Sequence, residues 1–211
     1  MTTRTAFVLG GGGVLGAAEV GMLKALLAAG ITPDLVLGTS IGAMNGALLA
    51  ADPTPTGVRR IEALWVHAVT DGPLAGSLRS RVSAITSSRA RAASHPGPLS
   101  RLLAENLDVT NIEDLPIEFA CVAANIERAA EHWFAAGPIV PAVLASAALP
   151  GLYPPVEIDG EHFLDGGLVN SIPLDRARKM GADRAFVLQG GRIEQPLAPP
   201  RRPWQAPIVA C

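Results

Sequence analysis

The sequence predicts an α/β domain built on a mostly parallel sheet with helices over both faces. Two observations predict it. Strand, glycine turn and helix follow one another twice before Pro53, the repeat that a parallel sheet with crossover helices requires. A chain of 211 residues, 49% hydrophobic and only 17% charged, suits one domain with a large core and a lean charged surface.

Thr5 to Leu9 reads as a short buried strand because its apolar run stops at Gly10 to Gly13. After Gly16, Val20, Leu23 and Leu27 recur at helical spacing, and Gly30 supplies a stop. Leu35-Val36-Leu37 is the second strand, followed by Gly38-Thr39-Ser40-Ile41-Gly42 and an Ala/Leu-rich helix to about Ala51. Beyond Pro53 and Pro55, Val58, Ile61, Leu64 and Trp65 mark one face of a further helix. From Gly72 to Ala104 no acidic residue occurs, while Arg79, Arg81, Arg89, Arg91 and Arg101 accumulate. Residues of about 70–110 therefore form a cap-like excursion, whose arginines are either solvated cap residues or a contact for an anionic membrane surface.

Ile117 to Ala124 and Glu131 to Ala135 return to strand character, and Ile139 to Ala147 suits a short helix. Pro150-Gly151 and Pro154-Pro155 impose a rigid loop. Val156-Glu157-Ile158 and His162-Phe163-Leu164 flank an Asp159-Gly160 hairpin turn that leads into Asp165-Gly166-Gly167. Pro173 to Met180 suits a helix and Ala185 to Leu188 a final strand. The domain is thus expected over residues 1–193, with 194–211 an irregular proline-rich tail.

Composition removes several classes of function. A formal net charge of -2 gives no field to draw the protein onto nucleic acid. Cys121 and Cys211 are too few and too dissimilar in setting for a disulfide framework, which suits a reducing compartment. No apolar signal region opens the chain, and no run of about eighteen apolar residues offers a membrane span. The expectation is a cytoplasmic protein that touches a membrane peripherally if at all.

Gly38-x-Ser40-x-Gly42 between strand and helix is the context of a nucleophile elbow, which exposes a serine hydroxyl at the carboxyl edge of a sheet. Ser40 could equally cap the helix that follows. Gly11-x-Gly13-x-x-Gly16 fits a dinucleotide fingerprint, but the second strand ends in Gly38-Thr39-Ser40 rather than in an acidic residue. A P-loop fails because Ala17 and Ala18 follow Gly16. Two readings of this loop remain: amides of Gly11, Gly12, Gly13 and Val14 forming an oxyanion hole, or mere close packing of helix on strand. Ser40 needs a base to take its proton. His67, His95, His132 and His162 have no motif around them and read as surface or packing residues. Asp165, after a strand and before two glycines, is either that base or a turn aspartate.

Taken together, GGGVLG (Gly11 to Gly16), GTSIG (Gly38 to Gly42), ASAALPGLYPPV (Ala145 to Val156) and DGG (Asp165 to Gly167), with Asn170 and Pro173, resemble the patatin-like phospholipase family. The resemblance runs from Thr5 to about Gln189. It implies a three-layer α/β/α fold and a Ser-Asp dyad without histidine, with Ser40 as nucleophile, Asp165 as base and Gly11 to Val14 as the oxyanion loop. The implied reaction is serine-dependent hydrolysis of carboxylic esters of lipids, as by a phospholipase A or lipid acyl hydrolase, through an acyl-enzyme and with no metal or organic cofactor. A soluble carboxylesterase or thioesterase on small esters is the alternative, and a non-catalytic binding protein a third. One departure stands out: Leu15 occupies the place where the family usually has arginine or lysine, which weakens the case for phosphate-headgroup recognition. The chain also enters its tail where many members continue with further helices.

Overall fold

The structure, a computed structural model, describes residues 3–70 and 97–190. Arg79, Arg81, Arg89, Arg91, His95 and the proline-rich tail lie outside the described residues.

In chain order the elements are β1 (Thr5–Leu9), α1 (Gly16–Ala28), β2 (Leu35–Thr39), α2 (Ile41–Ala51), α3 (Pro55–Thr70), α4 (Pro98–Asn106), β3 (Glu118–Asn125), β4 (Ala130–Phe134), α5 (Ile139–Ser146), β5 (Val156–Ile158), β6 (Glu161–Asp165), α6 (Leu174–Lys179) and β7 (Arg184–Leu188). β3, β2, β1 and β7 form a parallel block, to which β4, β6 and β5 add antiparallel pairings. The sheet is the mostly parallel one expected, with three layers.

Alternation along β1 divides the core. Phe7 and Leu9 pack with Leu23, Ala47, Ile61, Leu103 and Ile139, from α1 to α5. Ala6 and Val8 face the other way and pack with Leu35, Leu37, Ala120 and Ala177 of α6. Phe7 and Phe119 are essentially unexposed, and burying each such side chain contributes about 2 kcal/mol or more. α2 carries no polar stripe because every residue from Gly42 to Ala50 is buried between the sheet and α1, α3 and α5. α4, the described part of the arginine-rich excursion, starts with Pro98 in its first turn, buries Leu103 and leaves Arg101 exposed.

The pairing of β3 brings remote segments together. Cys121 to Asn125 bond to β4 along one edge, so the other edge is shared by two strands. β2 occupies it as far as Thr39, opposite Val122, and β6 arrives from the opposite direction and ends with Asp165 opposite Ala123. The ends of β2 and β6 therefore meet head to head, at consecutive positions of β3.

Candidate active site

β2 ends at Thr39 and α2 starts at Ile41, leaving Ser40 alone in the turn with φ 55 and ψ -120. Such a conformation costs a non-glycine residue on the order of 1–3 kcal/mol and must be held by its surroundings. The hold is visible on both sides of the residue. Its carbonyl accepts from the Ala43 N–H at 2.9 Å, and its own N–H donates to the Ser146 hydroxyl on α5 at 2.9 Å. Ser40 occupies the N-cap position of α2, yet its side chain makes no capping bond. The hydroxyl donates instead to Asp165 Oδ2 at 2.6 Å, across 125 residues of sequence.

The flanking glycines are there because backbone passes within contact of them. A Cβ on Gly38 would stand 2.4 Å from the Ala43 Cα, and one on Gly42 would stand 2.4 Å from the Leu9 carbonyl oxygen. Neither neighbour is the free end of a side chain. Gly42→Ala is therefore expected to cost about 3 kcal/mol, as severe overpacking does, and to lower the thermal midpoint by roughly 6 °C or more. An unchanged midpoint would refute this account of the elbow.

Asp165 closes β6 and is almost fully buried. One oxygen caps the short 3-10 turn Gly166–Leu168 by accepting from the Gly167 N–H at 2.8 Å, and the other faces Ser40. The residue thus caps the turn, as one reading of its sequence context had it, and at the same time accepts a hydrogen bond from Ser40. Its own N–H donates to the Ala148 carbonyl at 3.0 Å, tying the end of β6 to the segment after α5. Burial raises its pKa above the ordinary aspartate value, and the bonds from Ser40 and Gly167 offset only part of that. Gly166 is required by a close approach to β3: a Cβ there would lie 2.2 Å from the Val122 carbonyl oxygen.

The glycine loop runs beside this pair. A Cβ on Gly11 would be 3.8 Å from Ser40 Cβ, so the loop lies against the elbow. The amides of the loop are not equivalent. Gly10 N–H donates to the Leu188 carbonyl at 3.0 Å and Gly11 N–H to the Ser171 carbonyl at 2.9 Å. Among the described residues no partner faces the N–H groups of Gly12, Gly13 and Val14, where the chain enters a 3-10 turn with Gly13 at φ 55. Of the four residues expected to donate, Gly11 is thus already engaged, and three amides are free. Leu15 ends that turn half exposed.

Ser146 and Ser171, which the sequence did not single out, and Asn170, which entered only with the family resemblance, hold these segments together. Ser146 lies in the ASAALPGLYPPV segment, and a buried hydroxyl in so apolar a run has to find a partner, which was the available signal. Asn170 and Ser171 form a strap. The Asn170 carbonyl accepts from Thr39 Oγ1 at 2.9 Å, the Ser171 carbonyl holds Gly11, and the Asn170 side chain donates to Glu131 at 3.0 Å. The described histidines stand apart. His132 packs against Phe134 and Phe163, His162 bonds to Glu127 at 2.8 Å, and His67 is exposed on α3. Among the described residues, no histidine hydrogen-bonds to Ser40 or Asp165.

Comparison with known proteins gives the same neighbourhood. A family model described as patatin-like phospholipase matches residues 7–178. The lysophospholipase nte1 of Aspergillus terreus is 34% identical over 195 residues, covering 89% of this chain and 12% of that protein. The patatin-like phospholipase domain-containing protein ZK370.4 of Caenorhabditis elegans is 36% identical over 193 residues, covering 89% of this chain and 14% of that protein. The crystal structure of VipD from Legionella pneumophila aligns with a TM-score of 0.49 at 17% identity, over 81% of this chain and 47% of that one. The chain spans about an eighth of the length of the curated relatives it matches. With most of its length matched by that family model, the chain belongs to the patatin-like phospholipase family.

Proposed function

We propose that this chain hydrolyses carboxylic esters of lipids through an acyl-enzyme, with Ser40 as nucleophile and Asp165 as general base. The observation that carries the reading is the 2.6 Å hydrogen bond from the Ser40 hydroxyl to a buried carboxylate whose basicity burial has increased. As Ser40 Oγ attacks the ester carbonyl carbon, its proton passes to Asp165 and the negative charge moves to the carbonyl oxygen. Free amides of Gly12, Gly13 and Val14 receive that oxygen, with the N-terminal end of α1 behind them. Collapse breaks the bond to the leaving alcohol, which takes the proton from Asp165. Water then attacks the acyl-serine, giving up a proton to Asp165, and that proton passes from Asp165 to Ser40 Oγ as the fatty acid leaves.

Support for a lipid substrate comes from the surroundings of the dyad. Val14, Leu15, Leu152, Tyr153, Leu168 and Val169 are exposed on the loops that flank it, an apolar display suited to an acyl chain. An open hollow of about 390 Å³ is lined by Leu152, Tyr153, Pro154 and Leu164, and neither Ser40 nor Asp165 is among its lining residues. Leu15 favours a substrate without strong headgroup recognition, such as a lysolipid or neutral ester, because no cation stands there to meet a phosphate. Among the described residues no helix is long and apolar enough to cross a membrane. Peripheral contact with an anionic surface belongs to the same proposal.

A fluorophosphonate is expected to label the wild-type chain at Ser40 and to leave Ser40→Ala unlabelled. Aryl esters of increasing acyl length are expected to be hydrolysed with rising kcat/KM. Labelling of a different serine removes the dyad from the mechanism. A rate indifferent to chain length, with no turnover of lysophospholipid, replaces the lipid substrate by a small ester or thioester.

A further inference from the structure

The residues just after β7 take no part in the dyad, yet they grip the glycine loop. Gln189, 178 residues from Gly11, donates from Nε2 to the Gly11 carbonyl oxygen at 3.0 Å. Only a donor can face a carbonyl, so the carboxamide turns its Oε1 toward Gly10, where an added Cβ would stand 1.8 Å from that oxygen. Oε1 is buried with no hydrogen-bond partner among the described residues. An unsatisfied buried acceptor destabilises a fold, and here it accompanies the one orientation that aims Nε2 at Gly11. Gly190 presses on the far end of the loop, since a Cβ there would lie 2.5 Å from the Leu15 carbonyl oxygen.

Peptide geometry gives this grip a consequence for chemistry. The Gly11 carbonyl and the Gly12 N–H belong to one planar trans unit and point in opposite directions. β1 lies between β7 and β2, so an N–H turned away from Gln189 is turned toward the flank where Ser40 begins α2. Glycine on both sides of that peptide leaves little steric resistance to its rotation. A rotated unit would offer a carbonyl oxygen where a negative charge develops.

We infer that Gln189 is a positioning residue, which holds the Gly11–Gly12 peptide with its N–H toward the carbonyl that Ser40 attacks. The inference rests on the acyl-hydrolase reading above. Gln189→Met keeps the length and removes the donor; Gln189→Glu keeps the shape and sets an acceptor against the Gly11 carbonyl. Each is expected to lower kcat by about 10²-fold, as loss of an oxyanion donor does, with KM held within about threefold. Inhibition by an alkyl trifluoromethyl ketone, whose adduct with Ser40 carries the oxyanion, is expected to weaken by the same factor. Thermal melting identifies the folded variants, and either one carries the test alone. A folded variant with kcat within about twofold of wild type overturns the inference, as does a fall in kcat with ketone inhibition unchanged. A wild-type chain that neither cleaves esters nor binds the ketone overturns the acyl-hydrolase reading itself, and this inference with it.

Discussion

Asp165→Asn is expected to lower kcat for ester hydrolysis by about 10⁴-fold while raising the thermal midpoint, because in the proposed dyad the carboxylate serves the reaction at the expense of the fold. Asn keeps an oxygen for the Gly167 N–H, and its amide can donate to the Ser40 hydroxyl, so the 3-10 turn after β6 keeps its cap. It cannot take the serine proton. The stability sign follows from the raised pKa. A carboxyl whose folded pKa lies above its ordinary value of 3.8 contributes stability that is complete below that value and is lost as pH rises through the folded pKa. Above its folded pKa the ionised, desolvated Asp165 is therefore a net cost, which the amide removes. The same displacement sets the acid side of the rate profile. The proposed mechanism needs the ionised base, so kcat/KM in the wild type is expected to fall at a higher pH than an exposed aspartate would give. A variant as unstable as it is inactive would show that the loss came from unfolding; retained turnover would remove Asp165 from the chemistry.

Glu19→Gln is expected to leave stability near pH 4.5 unchanged and to add on the order of 4 kcal/mol by pH 8. Glu19 sits in the first turn of α1 and is 1% exposed, with Oε2 accepting from Asn45 Nδ2 at 2.8 Å. Asn45 also donates to the Gly16 carbonyl at 3.0 Å and accepts from the Trp65 indole N–H at 3.0 Å, joining α1, α2 and α3. Two effects oppose each other at this carboxyl. Burial disfavours its ionised form, and the hydrogen bond from the Asn45 amide favours that form by less. Burial wins, and the pKa is raised from 4.5 to about 8. The folded chain then keeps a proton that the unfolded chain sheds throughout the interval. Wild-type stability accordingly falls with rising pH across it, by up to about 1.4 kcal/mol per pH unit from this group, and levels above it. Gln keeps a carbonyl for Asn45 and never ionises. Denaturant melts of both chains from pH 4.5 to 9 would decide the matter, and parallel curves would mean that Glu19 is not held neutral.

How far the site could be read in the sequence depended on the kind of constraint each residue carries. Gly38, Gly42 and Gly166 leave a mark in the chain because the steric demand allows almost no other residue, and that mark frames Ser40 and Asp165. Ser146, Ser171 and Gln189 leave no such mark. They act through a hydroxyl, a backbone carbonyl and a carboxamide whose value depends on what lies opposite. Glu19 carries no signal of its own in the sequence, since nothing local says that the helix turns it inward onto Asn45. The loop amides were a mixed case. Their glycines marked the segment, but that Gly11 is engaged while Gly12, Gly13 and Val14 are free depends on Ser171, about 160 residues away.

By itself the sequence determined the strand and helix order and the glycine-flanked turn at Ser40, because periodicity and glycine spacing are local consequences of backbone sterics, while the pairing of Ser40 with Asp165 came only as what the family resemblance implies. Only the tertiary structure decided that these groups touch. β2 and β6 run toward each other along one edge of β3, and whether their ends abut is set by strand register. A slip of one residue would turn Asp165 to the opposite face of the sheet, and register is fixed by long-range hydrogen bonding and core packing, which no short stretch of sequence encodes.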